Sequence, residues 1–183
     1  MKPEEVVAGF ERVAVFEKLR AANRMHHQEV YATLERTIPA LFAKPPCMLD
    51  IGCGDARDVA PILERGGVAE YTGIDNSQEA LTQARARLSQ VPCPWRLVHA
   101  DYSEWFRQGS ARVDLLWLGL FLHHLPAERK EEFFRQAAQS LRLGGVGLAH
   151  DPVLLEGEDR TSFLQRIART SEAWPELGAE QRE

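Results

Sequence analysis

Between Cys47 and Ala149 five short apolar runs alternate with segments of helical periodicity, and that alternation leaves few folds open to the chain. The runs are Cys47–Ile51, Tyr71–Asp75, Trp95–Ala100, Val113–Gly119 and Val146–Ala149, each of strand length. A helix is expected over 55–65, with Gly66-Gly67 closing it. Asn76 or Ser77 caps the next helix, Glu79 adds first-turn negative charge, and Leu88 ends its apolar face. Another follows Pro126, runs through Phe133, Ala137 and Leu141, and is stopped by Gly144-Gly145. Strands that alternate with helices of about 10–15 residues imply right-handed βαβ units and a parallel sheet. The expectation is one doubly wound α/β sheet of about five parallel strands with helices on both faces.

Two N-terminal helices precede the sheet. Val6, Phe10, Val13 and Leu19 carry helical spacing over 3–20, and Val30, Leu34, Ile38 and Leu41 carry it over 23–43, before Pro45-Pro46 ends the region. A last helix spans about Arg160 to Ala173, with Phe163, Leu164 and Ile167 on one face. With no fixed-period repeat and no Pro-, Gly- or Ser-rich linker, residues 1–183 read as one domain. Its parts are 1–44 helical, 46–151 the core, and 152–183 a helix and tail.

Charge and cysteine usage exclude several classes. The 22 Lys and Arg against 27 Asp and Glu give a net charge of −5, which leaves no broad basic face, so no nucleic-acid partner is expected. Cys47, Cys53 and Cys93 form no C-x-x-C pair and read as reduced thiols, with no metal site. The longest apolar run, from 115 to 122, is eight residues. A membrane span needs about 20, so no membrane partner is expected. Met1-Lys2-Pro3-Glu4-Glu5 is too polar for a signal peptide, and a soluble, cytoplasmic protein is expected.

In an open parallel sheet, ligands bind outside the carboxyl ends of the strands where the strand order reverses. The first strand ends in Leu49-Asp50-Ile51-Gly52-Cys53-Gly54-Asp55-Ala56-Arg57. Glycines here allow a sharp turn and close approach of a ligand to the backbone. A dinucleotide fingerprint needs glycine where the chain has Arg57, which disfavours NAD and an oxidoreductase. Asp75 closes the second strand 21 residues after Gly54 and suits the two hydroxyls of a ribose. Asp101 closes the third strand and can accept from an exocyclic amine such as adenine N6, with Tyr102 beside the ring. The ligand then contains a nucleoside and needs no pyrophosphate.

Taken in order, Leu49–Arg57, Gly73–Ser77, His99–Tyr102, Asp114–Leu125 and Leu141–Gly145 resemble the class I S-adenosylmethionine-dependent methyltransferases, in particular those acting on small molecules. The resemblance covers about residues 46–151 and implies a Rossmann-like sheet of order 3-2-1-4-5, with S-adenosylmethionine as cofactor and a small-molecule substrate. It implies that Asp50 orders the first loop and reaches the methionine ammonium directly or through water. It places the backbone of Gly52, Cys53 and Gly54 along the methionine and ribose. Asp75 with Asn76 takes the ribose hydroxyls, Asp101 the adenine amine, and Tyr102 packs nearby. Leu118 and Gly119 border the reacting methyl. The N-terminal helices form a lid, from which Arg24 meets the methionine carboxylate or an anionic substrate.

Strand four is followed by Phe121-Leu122-His123-His124-Leu125, not by the N/D-P-P-Y/F motif of enzymes that methylate exocyclic amines of nucleic acids. Pro92-Cys93 precedes strand three, so the cytosine-C5 pattern is absent as well. His123 and His124 stand where a general base is expected, and His150-Asp151 is a second candidate. Neighbouring side chains diverge, so one of each pair is expected to face the site, and neither His26-His27 nor His123-His124 reads as a metal clamp. Phe121, Trp105 and Trp117 are expected in the core. The family's C-terminal strands have no counterpart after Ala173. An open strand-five edge is therefore expected, in a truncated chain, a natural short form, or a chain that covers the edge by self-association. A domain that binds the cofactor without catalysis is the alternative function.

Overall fold

The computed structural model describes residues 17–109 and 112–175. They fall into two compact units, one from the segments up to Glu29 and from Val153 onward, the other from Val30 to Pro152.

In the second unit, β1 (Cys47–Ile51), β2 (Glu70–Asp75), β3 (Trp95–His99), β4 (Val113–Gly119) and β5 (Leu141–His150) form one sheet. Its order is β3-β2-β1-β4-β5, and every neighbouring pair is parallel. This is the Rossmann-like, doubly wound α/β fold expected from the alternation. The central strands are buried on both faces, which is why β1 and β4 read as nearly continuous apolar runs. Successive residues point to opposite faces. Met48, Tyr71, Leu115 and Trp117 pack in one cluster with Leu34, Ile38, Leu63 and Leu88. Leu49, Ile51, Leu116 and Leu118 pack in the other with Ile74 and Phe133.

The helices are α1 (His27–Leu41), α2 (Ala60–Glu64), α3 (Gln78–Leu88), α4 (Tyr102–Arg107), α5 (Ala127–Ser140) and α6 (Arg160–Glu172). From Val30 onward α1 belongs to the second unit, and Leu34 and Ile38, four apart, supply its buried stripe. The helix expected over 23–43 starts only at His27, because Asn23 and His26 take the left-handed conformation. Of the helix expected over 3–20, residues 3–16 lie outside the described residues and 17–20 are helical.

Two further expectations change. The helix expected over 55–65 shrinks to α2: Ala56 is left-handed, and Asp55 holds both Arg57, through its backbone N and Nε, and Arg87. Pro61 sets the start, since a first-turn proline gives up only an N–H that no helix bond needs. Gly144-Gly145 do not stop α5. That helix ends at Ser140 and β5 begins at once, with the two glycines inside the strand. Val113 pairs with Leu141 but Leu115 with Val146, so β5 bulges over 142–145. A Cβ on Gly145 would meet the carbonyl oxygens of Arg142, Asp114 and Val113 at 3.0, 3.1 and 3.2 Å.

At the amino end of the sheet, the Asp114 carboxylate accepts from Cys47 N and Arg142 Nη1, both at 2.8 Å, and ties β1, β4 and β5 together. Among the described residues β5 pairs with β4 alone and forms an edge. In the first unit, Asp159 caps α6 and Glu158 pairs with Arg166 at 2.6 Å.

Candidate functional site

The chain winds from β1 through β2 to β3 on one side and through β4 to β5 on the other, so the order reverses at β1 and β4. At the carboxyl ends of these strands lies a cleft of about 490 Å³, within the range of small-molecule sites. Gly52 at the end of β1 forms part of its floor at φ +76°, where a side chain is strained, and an added Cβ would stand 3.0 Å from Phe121 Cδ2. The turn is fixed from β2: Gly52 N and Cys53 N both donate to Ile74 O, at 2.8 and 3.0 Å.

Asp75 stands on the wall beside Asn76. Its Oδ2 accepts from Gly54 N and its Oδ1 from Ser77 N, both at 2.8 Å. A carboxylate offers about four acceptor positions, so two remain for a ligand. Ser77 caps α3 through Ala80 N, which fixes this edge of the cleft. Asp101 caps α4 in the same way, with Oδ1 accepting from Ser103 N at 2.9 Å and Oδ2 left for a ligand. Tyr102 also lines the cleft, its ring edge-on to Phe121 at 5.6 Å and Phe133 at 5.3 Å.

The two histidines have different partners, although their rings lie together. His124 lines the cleft, whereas His123 Nδ1 meets Asp151 Oδ1 at 2.9 Å. Their ring centroids are 4.0 Å apart. Burial first, and His123 second, lower the His124 pKa below the usual 6.5, so at neutral pH it is a proton acceptor.

Other expected residues of the second unit do not line the cleft. Asp50, within β1, is buried and accepts from Tyr71 Oη at 2.9 Å. Burial raises its pKa to about 7 against the lowering hydrogen bond from Tyr71, with Asp75 and Asp58 adding to the rise. Cys53 is half-buried, and burial pushes its thiol far above the ordinary range, the opposite of the lowered pKa that activates a thiolate. Leu118 faces the apolar cluster of Leu49 and Ile51, and Leu120, in the left-handed conformation, takes the wall position. Arg24 lies in a turn of the first unit. Trp105 and Trp117 are buried as expected, with Trp117 Nε1 3.3 Å from Tyr31 Oη. Phe121 corrects its core assignment in part: it packs on the core and also lines the cleft. Sequence reasoning missed Leu120 and the Asp151 contacts, which link positions far apart in the chain. Among the described residues no group of three or more His, Cys, Asp or Glu can hold a metal, and no helix is long and apolar enough to cross a membrane.

A doubly wound parallel sheet with a glycine turn and two carboxylates lining a cleft at the carboxyl ends of its strands defines an open α/β protein with its candidate ligand site at that edge. Within that class, the chain belongs to the family described as a methyltransferase domain, whose profile matches residues 48–145, from β1 into the bulge of β5. It is 38% identical over 147 residues to a trans-aconitate 2-methyltransferase of Acidovorax ebreus (strain TPSY), covering 76% of this chain and 53% of the relative. Against the trans-aconitate 2-methyltransferase of Rhizobium rhizogenes (strain K84), identity is 34%, with 61% and 43% covered. The chain thus spans about half the length of the curated relatives it matches. A SAM-dependent methyltransferase from Thiobacillus denitrificans, solved in complex with S-adenosyl-L-homocysteine, is 26% identical with a TM-score of 0.50, covering 66% of this chain and 47% of that one. The plantazolicin methyltransferase BpumL shares the fold at 17% identity, with a TM-score of 0.70 and 97% and 62% covered.

Proposed function

We propose that this chain binds S-adenosylmethionine at the carboxyl end of its sheet and transfers a methyl group to a small-molecule acceptor. The observation that carries the proposal is the joining of Gly52, Asp75 and Asp101 in one cleft, with acceptor positions left on both carboxylates. The residues fit the group. Gly52, Cys53 and Gly54 offer backbone without a strained side chain in the way, Asp75 and Asn76 suit the ribose, and Asp101 with Tyr102 suits the adenine. Bound S-adenosylmethionine supplies a methyl group on a sulfonium, with a neutral thioether as leaving group. Asp50 serves from beneath, bracing the turn through Tyr71. Leu118 contributes backbone near the methyl, and its side chain secures the strand end in the core.

Where the acceptor carries a proton, His124 takes it on its neutral imidazole. An anionic oxygen acceptor needs no base, and alignment in the cleft then supplies most of the acceleration. Because the relatives are named for trans-aconitate, that compound is the first acceptor to try. The net charge of −5 and the free cysteines support a cytoplasmic enzyme without a nucleic-acid partner. Among the described residues β5 pairs on one side only, which supports self-association through its other edge.

The test is calorimetric titration with S-adenosylmethionine and S-adenosylhomocysteine, on the chain and on Asp75→Asn, which keeps an acceptor oxygen but loses the charge. Binding weakened by about 1–3 kcal/mol in the variant is expected. No binding by a demonstrably folded chain refutes the proposal. Binding without turnover on trans-aconitate or an acceptor panel favours the alternative, a binding domain without catalysis.

A further inference from the structure

We infer that Asp151 is a positioning residue whose carboxylate clasps the turn after β4 and fixes the proton of His123, so that His124 alone of the pair is presented to the acceptor. The last clause rests on the methyl-transfer reading; the clasp does not.

Beyond Gly119 the chain leaves the sheet through Leu120, Phe121 and a single 3₁₀ turn, Leu122–His124. Leu120, Phe121 and His124 line the cleft, so this segment is one of its walls. A 3₁₀ turn this short has little hold of its own. The hold comes from the end of β5. Leu120 N donates to His150 O at 2.7 Å, and Leu122 N donates to Asp151 Oδ2 at 2.6 Å. Asp151 Oδ1 takes the third bond, to His123 Nδ1 at 2.9 Å. The Asp151 side chain is only 6% exposed, and both its oxygens are committed to this turn. The pairing that makes His150-Asp151 a candidate base therefore serves the wall instead.

The bond also fixes a tautomer. An ionised carboxylate only accepts, so the shared hydrogen sits on His123 Nδ1 and the neutral ring carries its lone pair on Nε2. His123 packs against His124 at 4.0 Å between centroids, so its fixed ring orients the one that lines the cleft. The charged and titratable groups acting on His124 are His123, Asp151 and Asp75.

Asp151→Asn separates these duties on the full chain. The asparagine oxygen keeps the Leu122 N–H, while its amide nitrogen faces His123 Nδ1, which must then accept, and the ring proton moves to Nε2. Long-range ¹H–¹⁵N correlation spectra of the histidine rings read this without any activity. The expected result is His123 protonated on Nδ1 in the unaltered chain and on Nε2 in the variant. S-adenosylhomocysteine affinity is expected to change little, because the wall stays tied. With a phenol or an amine as probe acceptor, which carries a proton for His124 to take, kcat is expected to fall about 10- to 100-fold with KM for S-adenosylmethionine nearly constant, whereas with anionic trans-aconitate it is expected to change little. Asp151→Ala also removes the acceptor for Leu122 N and is expected to weaken S-adenosylhomocysteine binding as well. His123 protonated on Nε2 in the unaltered chain, or an unchanged tautomer in Asp151→Asn, overturns the inference. A folded chain that shows the tautomer switch but binds no S-adenosylhomocysteine sinks the methyl-transfer reading and leaves the clasp standing.

Discussion

Replacing Asp50 by asparagine removes one titration from the core and keeps the size and the acceptor for Tyr71. Asp50 is 3% exposed, and burial lifts its pKa from 3.8 to about 7, opposed by the Tyr71 hydrogen bond and reinforced by Asp75 and Asp58. In the unfolded chain it titrates near the lower value. Between the two values the folded state holds a proton that the unfolded state has released. The contribution to stability is therefore complete below pH 3.8, is lost as pH rises, and levels off once pH passes about 7. The interval of about 3.2, at roughly 1.4 kcal/mol for each pH step, makes the whole loss about 4 kcal/mol. Asparagine has no proton to lose. Near the acid end the variant is at best as stable as the original, and about 1–3 kcal/mol worse where its amide N–H₂ lacks a partner. By about pH 8 the difference shifts by about 4 kcal/mol in the variant's favour. Urea unfolding of both proteins, followed by tryptophan fluorescence from about pH 4 to about pH 8, measures that difference, and titrations not coupled to Asp50 cancel. A difference flat with pH, or one that moves toward the original as pH rises, refutes the claim that burial dominates at Asp50.

Two further outcomes follow from close contacts. In Gly73→Ala the new Cβ stands 2.8 Å from Cys53 Sγ and 3.0 Å from Tyr71 Oη. Overpacking of about 1–3 kcal/mol is expected in urea unfolding. Cys53→Ala in the same chain recovers part of it, and strict additivity of the two changes argues against the contact. Ser77→Ala removes the cap on Ala80 N and is expected to cost about 1 kcal/mol. S-adenosylhomocysteine affinity should hold in that variant, because the bond to Asp75 comes from the Ser77 backbone N; a large loss of affinity points to a direct role for the hydroxyl.

The legible parts of this molecule are those with a local period or a local cap. Alternation of apolar runs with helical segments placed all five strands, most plainly β1 and β4, which are buried on both faces and so are apolar along most of their length. Asp75, Asp101 and Ser77 were readable as residues at strand ends and helix starts, and all three stand there. The glycine pair at 144–145 misled, because the same residue type that ends a helix also permits a strand to bulge against carbonyl oxygens. Helix α2 was overestimated for a related reason: the periodicity of 55–65 is real, but Asp55 gathers two arginines and pre-empts the first turn. Pro61 marked the true start. The clasp between Asp151 and the 122–123 turn joins residues nearly thirty positions apart, and no local pattern reports such a bond. The double duty of Phe121, half core and half wall, is set by where the cleft opens, which periodicity does not encode.

The bulge in β5 bears on how the sheet assembles. Leu141–His150 contains three glycines and a weak inside–outside pattern, so its sequence alone barely prefers one alignment with β4 over the next. Gly145 supplies the preference. Moving β5 by one residue in one direction brings Val146 to the place where the Asp114 and Val113 carbonyl oxygens of β4 crowd any side chain. Moving it the other way seats Gly144 there, but turns Leu148 away from the core cluster it packs against. Each misalignment thus carries its own penalty, and competing registers are discarded as β5 joins the sheet.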